Sequence, residues 1–237
     1  MLRRTFLGRA VLGFIALLTS ACFPSHQLTG AGFLGDGYVG KTRAGRFKRF
    51  YIQYIKFFRR VRAEEWRLKI TGMVENPQSL TLEEVQGFPR KIQSSRLKCV
   101  ECWSARAEWE GFHFSELEER VRPRPEAVGV VFRCADTYEE FLSLEDLNHE
   151  RTMLVHRMNG EPLSDEHGFP LRVIIPFKYG YKSPKAILEM EFVDKVIPGT
   201  WSRIGPYSVD GTILPGHDTP LDGDGERRRI PGGEVFD

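Results

Sequence analysis

Cys99 and Cys102, separated by two residues, are the side chains of this 237-residue chain best suited to chemistry. Such a pair can form a redox disulfide, but redox proteins of that kind place it where a strand meets a helix in a βαβ unit, and the flanking sequence does not indicate one. A zinc site would need two more ligands, and the sequence offers no second Cys-x-x-Cys and no paired histidines. The remaining role is a soft thiolate ligand to a single heavy metal centre.

The cysteine pair lies in the first of several motifs that follow one another along the chain. It belongs to the stretch Arg-Leu-Lys-Cys-Val-Glu-Cys-Trp-Ser, which precedes a Trp-Glu-Gly triplet. A His-Gly-Phe-Pro-Leu-Arg motif and a Lys-Tyr-Gly-Tyr-Lys-Ser-Pro-Lys motif come later. The segments are residues 96–104 and 109–111, then 167–172 and 176–185, with a first strand at 66–72 and a closing segment at 201–207.

These segments resemble the sulfite oxidase superfamily of molybdopterin enzymes over about residues 62–235. The resemblance implies that Cys99 is the protein ligand to molybdenum and that Tyr207 lies near the metal, where a phenol can donate a hydrogen bond to developing oxygen charge. Cationic side chains suit the phosphate of the pterin cofactor, Arg as a planar fork and Lys as a point charge. The cofactor contacts that the resemblance implies are Cys99, Cys134, His167, Arg172, Ser183, Pro184 and Lys185.

The resemblance implies a two-electron oxygen-atom transfer. The residues of the Lys-Tyr-Gly-Tyr-Lys motif favour the members of the family that reduce S-oxides such as methionine sulfoxide. Oxidation of sulfite to sulfate is the alternative, and it would need a cationic pocket for a small dianion. Arg96, Lys98 and Arg106 lie near Cys99 in sequence and are candidates for such a pocket. A non-catalytic lipoprotein that keeps the fold as a binding module is a further alternative, which would contain no molybdenum.

The chain does not carry its own electron-transfer group. A Cys-x-x-Cys-His haem site is absent because Trp103 follows Cys102, and no set of cysteines suits an iron–sulfur cluster. Electrons must therefore pass to or from a separate redox partner, which the resemblance implies is a membrane haem protein.

Residues 1–22 are typical of an export signal. The Arg-Arg-Thr-Phe-Leu stretch at residues 3–7 resembles a twin-arginine signal, which exports folded proteins. The apolar stretch at residues 10–18 is shorter than the ~20 residues that a membrane-spanning helix needs. Leu-Thr-Ser-Ala-Cys, ending at Cys22, resembles a lipoprotein cleavage box. We therefore expect a periplasmic protein, either tethered by lipid at Cys22 or released by ordinary signal-peptidase cleavage.

A basic, aromatic segment follows the leader. Residues 41–62 contain nine basic residues and no acidic one, and residues 23–62 are interpreted as a tether followed by a helix. Aromatic side chains at three- and four-residue steps predict that this helix packs one face on the domain. The alternative is a surface that meets anionic lipid or an acidic redox partner. The aromatic residues are Phe47, Phe50, Tyr51, Tyr54, Phe57 and Phe58.

The composition, 41% hydrophobic and 28% charged, excludes a disordered chain and indicates a core of substantial size. Once the three leader arginines are removed, 31 basic residues face 32 acidic ones, so the charge gives no support for nucleic-acid binding. We predict an oxidoreductase domain at residues 63–217. Residues 218–237, in a region rich in Gly, Pro and Asp, are predicted to form an extended or frayed tail.

The predicted fold class is α+β, with mixed sheets, short helices and long loops, because strands and helices show no regular βαβ alternation. Hydroxyl residues three positions before a glutamate predict helix starts at Thr81 and Ser115. Alternating or apolar runs predict strands at residues 66–72, 128–132, 153–155, 171–175 and 186–192.

Overall fold

The computed structural model describes residues 38–41, 49–52, 55–56, 60–222 and 226–233. The export signal and Cys22 lie outside the described residues, so the expectations for them stay predictions. Within these ranges, no helix has the length and apolar character that crossing a membrane requires.

An N-terminal hairpin replaces part of the predicted basic helix. Strand β1 (Tyr38–Lys41) pairs antiparallel with strand β2 (Arg49–Ile52). The helix prediction is therefore wrong at residues 49–52. Phe50 and Ile52 are both buried, the alternation of a strand, and aromatic and β-branched residues suit a strand that packs against a core.

A five-stranded sheet contains most of the main core. Its strands are β3 (Leu68–Gly72), β4 (Gln78–Leu80), β7 (Gly129–Cys134), β8 (Glu139–Ser143) and β12 (Ile187–Val193). The spatial order is β4–β3–β12–β7–β8, in which β3 and β12 are parallel and the other neighbours antiparallel. In β3, Leu68 and Ile70 are buried while Lys69 is exposed, which confirms the predicted half-buried strand.

A second sheet carries the cysteine motif. It contains β5 (Lys91–Lys98), β6 (Ser104–His113), β9 (Met153–Met158) and β10 (Glu161–Pro162), and β11 (Arg172–Ile174) also pairs with β9. Lys98 lies opposite Ser104, so β5 and β6 form a hairpin whose loop is residues 99–103. One mixed sheet and one antiparallel sheet, joined by short helices, confirm the predicted α+β class.

Within the described ranges, four short helices connect the strands: α1 (Leu82–Gln86), α2 (Phe114–Val121), α3 (Leu144–Asn148) and α4 (Thr200–Ile204). Thr81 caps α1 in a capping box with Glu84, as predicted. The cap predicted at Ser115 is two residues late, because the side chain of His113 accepts the capping hydrogen bond and α2 begins at Phe114. Burial of Phe114 with the later apolar residues of α2 explains the earlier start.

The C-terminal segment is folded over its described part, contrary to the expectation of a frayed tail. Strands β13 (Gly216–Asp218) and β14 (Arg228–Ile230) form an antiparallel hairpin. Asp218, Leu221 and Ile230 are all buried. Burial of these side chains, rather than the Gly- and Pro-rich composition, decides the structure of this segment.

A buried ion pair links β8 to the 3-10 turn at Gly180–Lys182. The Lys182 ammonium donates to Glu140 Oε1 at 2.6 Å, and the Tyr138 hydroxyl donates to Glu140 Oε2 at 2.9 Å. We expect Glu140→Gln to lower the free energy of unfolding by about 3–5 kcal/mol, because it leaves the Lys182 charge buried without its carboxylate. Denaturant unfolding measures this loss.

The matched control is Glu139→Gln, at a neighbouring residue whose carboxylate pairs with Arg133 and Arg203 at the surface. That variant should cost no more than about 1 kcal/mol, since exposed ion pairs contribute little. Equal decreases in the free energy of unfolding of Glu140→Gln and Glu139→Gln would contradict the prediction that the buried ion pair matters more than the exposed one.

Candidate active site

One pocket brings together segments that are distant in sequence. Its wall comes from β2, the loop between β5 and β6, the segment before β11, the residues around the 3-10 turn and the start and end of α4. Seven of the eight residues singled out in the sequence line it. They are Cys99, His167, Arg172, Ser183, Pro184, Lys185 and Tyr207.

The hairpin loop presents Cys99 at the pocket. Its backbone N–H donates to Trp103 O at 2.7 Å, which closes the loop, and Cys102 adopts a positive φ of 66°. Burial, followed by the nearby Glu101 carboxylate, raises the pKa of the Cys99 thiol to about 12. The metal-free thiol is thus protonated at neutral pH, and a metal would bind it by displacing that proton.

The turn also bears on the neighbouring cysteine. Val100 and Glu101 form a turn between Cys99 and Cys102, and the ends of a β-turn lie within the Cα separation that a disulfide allows. We expect these thiols to form a disulfide when metal is absent, losing two electrons and two protons to a disulfide oxidant such as oxidised glutathione. Mass spectrometry of the oxidised metal-free protein tests this, and a result showing two free thiols would refute it.

A cationic cluster occupies another part of the pocket. Arg172 Nη1 donates to His167 O at 2.9 Å, and Lys185 Nζ donates to Glu166 O at 2.9 Å. Burial lowers the pKa of Arg172 to about 10, and burial with the Arg172 charge lowers the pKa of Lys185 to about 7 and of His167 to about 4. Positive charge is crowded here, and an anion would relieve the crowding.

Two polar atoms of this cluster lack a hydrogen-bond partner among the described residues. Arg172 Nε and Ser183 Oγ are buried and have no hydrogen-bond partner among the described residues. Leaving such groups unsatisfied is costly, so their presence points to a polar ligand. The backbone also allows close packing here, since a Cβ at Gly168, whose φ is +102°, would lie 2.5 Å from Lys185 Cβ.

Aromatic rings line the pocket beside Cys99. Tyr207 contacts Trp201 with ring centroids 5.3 Å apart and Tyr181 at 5.7 Å. Burial, followed by the nearby Glu101 carboxylate, raises the pKa of Tyr207. The phenol is therefore a hydrogen-bond donor at neutral pH and a close electrostatic neighbour of the cysteine.

Cys134 is the one singled-out residue that does not line the pocket. It is buried at the end of β7, where the backbone N–H of Lys185 donates to its sulfur. Burial, followed by the charge of Asp136, raises its pKa well above the ordinary value. Cys134 thus contacts the backbone of Lys185, a member of the cationic cluster, and does not line the pocket.

Several lining residues were not singled out in the sequence. Phe50 and Ile52 come from the N-terminal hairpin, and the Phe50 ring meets the His167 ring edge-on at 5.7 Å. Asp136 and Tyr138 also line the pocket, and the Asp136 carboxylate accepts a hydrogen bond from Ile55 N at 3.0 Å. The aromatic and apolar residues at 50–55 are the sequence signal for this part of the pocket, but their spacing also fits a helix, which is the structure predicted above.

The three cations considered for a sulfite pocket lie elsewhere in the described structure. Arg96 Nη1 pairs with Asp222 at 2.6 Å, and Lys98 Nζ pairs with Asp218 at 3.3 Å. Neither residue lines the pocket described above, and neither does Arg106. The lining residues that follow Cys99 in its loop are Val100, Glu101 and Trp103.

The lowered pKa of His167 predicts a pH dependence of the cofactor-free protein. Since His167 titrates near 4 when folded and near 6.5 when unfolded, its contribution to stability is complete above pH 6.5 and is lost as pH falls toward 4. The difference amounts to about 3 kcal/mol. Unfolding free energies measured from pH 4 to 7 should therefore rise less steeply in His167→Gln than in the wild type, and parallel curves would contradict the assignment.

Comparison with known proteins places these motifs in context. A family described as "Oxidoreductase molybdopterin binding domain" matches residues 56–201. The solved sulfane dehydrogenase SoxCD from Paracoccus pantotrophus superposes with a TM-score of 0.60 and 22% identity, covering 77% of this chain and 49% of that one. The likeness to that structure shows a shared fold.

Curated relatives include reductases. The protein-methionine-sulfoxide reductase catalytic subunit MsrP of Xanthomonas campestris is 34% identical over 185 residues, 70% of this chain and 58% of the relative. MsrP of Campylobacter jejuni is 29% identical over 86% of this chain and 77% of the relative. The oxidoreductase YuiH of Bacillus subtilis is 34% identical over 62% of this chain and 74% of the relative. The chain thus spans little more than half the length of the Xanthomonas protein.

Proposed function

Because this chain belongs to the oxidoreductase molybdopterin-binding domain family, we propose that it reduces S-oxides such as methionine sulfoxide. It is a molybdenum-dependent oxidoreductase whose cofactor is molybdenum–molybdopterin. The observation that carries the choice of substrate is that Arg96 and Lys98, the cations near Cys99 in the chain, are paired with carboxylates and do not line the pocket, whereas Glu101 does.

The pocket fits the cofactor. Arg172 Nε and Ser183 Oγ are buried donors with no partner among the described residues, and Lys185 adds a second cation. These groups would hold the phosphate of the pterin, and Cys99 would supply the thiolate ligand. When bound, the cofactor supplies a metal that exchanges an oxygen atom and two electrons.

The substrate end of the pocket suits a neutral group. Val100, Glu101 and Trp103 line the pocket and adjoin Cys99 in the chain, and Trp201 lines it as well. A sulfite dianion would be repelled by the Glu101 carboxylate and would find Arg96 and Lys98 already paired with carboxylates. A sulfoxide is uncharged, and its apolar substituents would contact the aromatic rings.

The reaction consumes two electrons and two protons for each S–O bond broken, and it releases a sulfide and water. The Tyr207 hydroxyl would donate a hydrogen bond to the oxygen atom as negative charge develops there. Trp201 and Tyr181 hold the Tyr207 ring, which limits its reorientation.

We infer that the electrons come from a separate redox partner, a membrane haem protein, because the chain contains no haem or iron–sulfur motif. The twin-arginine-like leader supports a periplasmic location, and a lipid on Cys22 would hold the protein at the membrane. The basic segment before residue 62 remains the proposed docking surface, although residues 49–52 form a strand.

Two assays on the molybdenum-loaded protein test the substrate. Methionine sulfoxide with a reduced viologen dye should be turned over, whereas sulfite with an electron acceptor should give a kcat/KM at least about tenfold lower. Faster oxidation of sulfite than reduction of sulfoxide would overturn the proposal. Elemental analysis of the same sample shows that a negative result is not caused by missing molybdenum.

A further inference from the structure

The C-terminal segment clamps both ends of the Cys99 loop. Lys98 ends β5 immediately before the loop, and Ser104 begins β6 immediately after it. Ser104 N donates to Thr219 O at 3.3 Å, and Leu221 N donates to Ser104 O at 2.8 Å. We call residues 216–222 with β14 the C-terminal clasp.

Asp218 is the centre of this clasp. Its side chain is fully buried, with 0% exposure, and the Lys98 side chain beside it is only 3% exposed. Oδ1 pairs with Lys98 Nζ at 3.3 Å, while Oδ2 accepts from Ser104 Oγ at 2.8 Å and pairs with Arg228 Nη2 at 3.3 Å. One carboxylate therefore contacts the residue before the loop and the residue after it.

Burying these charges is costly unless they are paired. An apolar pair would fill the same space without the desolvation penalty, so stability alone gives no reason for a lysine here. Lys98 is covalently adjacent to Cys99, where an uncompensated ammonium would act strongly on a thiolate ligand. The charge of Lys98 can therefore influence a metal bound to Cys99.

Resting on the assignment of Cys99 as the metal ligand in the proposed function, we propose that Asp218 is a positioning residue for this ligand. Its negative charge offsets that of Lys98, so that the metal does not experience an additional positive charge. An uncompensated cation would favour the reduced metal, because reduction adds negative charge, and it would raise the reduction potential.

The clasp supplies its own control. Asp222 Oδ1 pairs with Arg96 Nη1 at 2.6 Å, and those side chains are 6% and 5% exposed. Asp222→Asn therefore breaks a buried ion pair of the same kind in the same segment. Arg96 is three residues from Cys99 and donates to Ser104 Oγ at 3.3 Å, so this control disturbs a contact at the end of the loop while leaving the Lys98 pair intact.

The experiment compares Asp218→Asn, Asp222→Asn and the double variant Lys98→Met/Asp218→Asn as molybdenum-loaded proteins. Redox titration followed by the Mo(V) EPR signal measures the metal potential. At a fixed ambient potential, Asp218→Asn should shift the Mo(IV) to Mo(V) ratio about tenfold toward Mo(IV), or about 59 mV for a one-electron couple. Asp222→Asn and the double variant should stay within about twofold of the wild type.

Equal shifts in the two single variants, or no shift in either, would overturn the proposal. If Asp218→Asn does not load molybdenum, the double variant decides, because it carries no uncompensated lysine, and the Arg228 side chain that also pairs with Asp218 is 32% exposed and screened by solvent. Its loading at the wild-type potential supports the proposal, and its failure to load or a shifted potential refutes it. The titration needs no substrate, so a wild type that holds molybdenum but does not reduce sulfoxide would refute the proposed function and leave this inference standing.

Discussion

Cys99→Ser is expected to reduce methionine sulfoxide reduction by at least about 10³-fold, equivalent to about 4 kcal/mol of transition-state stabilisation. A serine hydroxyl is a poor ligand for a metal that favours soft thiolate donors. The cationic cluster around Arg172 is unchanged in this variant, so some cofactor should remain bound. Activity with a reduced dye and molybdenum content by elemental analysis measure the two effects separately.

Cys102→Ser is the matched control for that substitution, since it removes a second thiol of the same loop that we do not assign to the metal. It should retain activity within about threefold of the wild type. Matching denaturation midpoints would show that both variants fold. Wild-type activity and molybdenum content in Cys99→Ser would refute the assignment of the ligand.

Arg172→Met is expected to weaken retention of the cofactor by about 10–150-fold, the range given by charge-assisted hydrogen bonds of about 1.5–3 kcal/mol. The same substitution should leave the cofactor-free protein as stable as the wild type within about 1 kcal/mol. Burial lowers the pKa of Arg172, which shows that its charge is costly before an anion binds. Removing that buried charge therefore stabilises the cofactor-free protein. Loss of the cation–π contact between Arg172 and Trp109, 5.2 Å away, offsets part of this stabilisation.

Cofactor content after dialysis and denaturant unfolding of the cofactor-free protein provide the two measurements. Arg90→Met is the control, because Arg90 forms an exposed ion pair with Glu110 and does not line the pocket. It should change neither quantity appreciably. A large destabilisation of cofactor-free Arg172→Met without loss of cofactor would show that Arg172 serves the fold and not the ligand.

The residues of the candidate site were predictable where they belong to short, continuous motifs. Cys99, His167 and Arg172 each lie within a run of specific neighbours, and Tyr207 follows such a run, so local sequence identified them. The structure shows that these runs meet in one pocket. The role of each residue there remains a prediction that the variants above test.

Residues whose placement depends on distant partners were not predictable. The spacing of Phe50 and its aromatic neighbours fits a helix as well as a strand, and pairing with residues 38–41 settles the choice. Asp218 lies in a composition typical of a loose tail, yet Lys98, 120 residues earlier, draws it into the core. A single sequence contains no signal for such long-range pairing.

The position of the clasp orders the events of synthesis. A ribosome makes Lys98 and Cys99 long before it makes Asp218, so a growing chain presents the cysteine loop with its lysine still uncompensated. The loop acquires these contacts only after residues 216–222 have emerged. We expect a chain truncated before residue 216 to present the Cys99 loop without the pairing of Lys98 by Asp218.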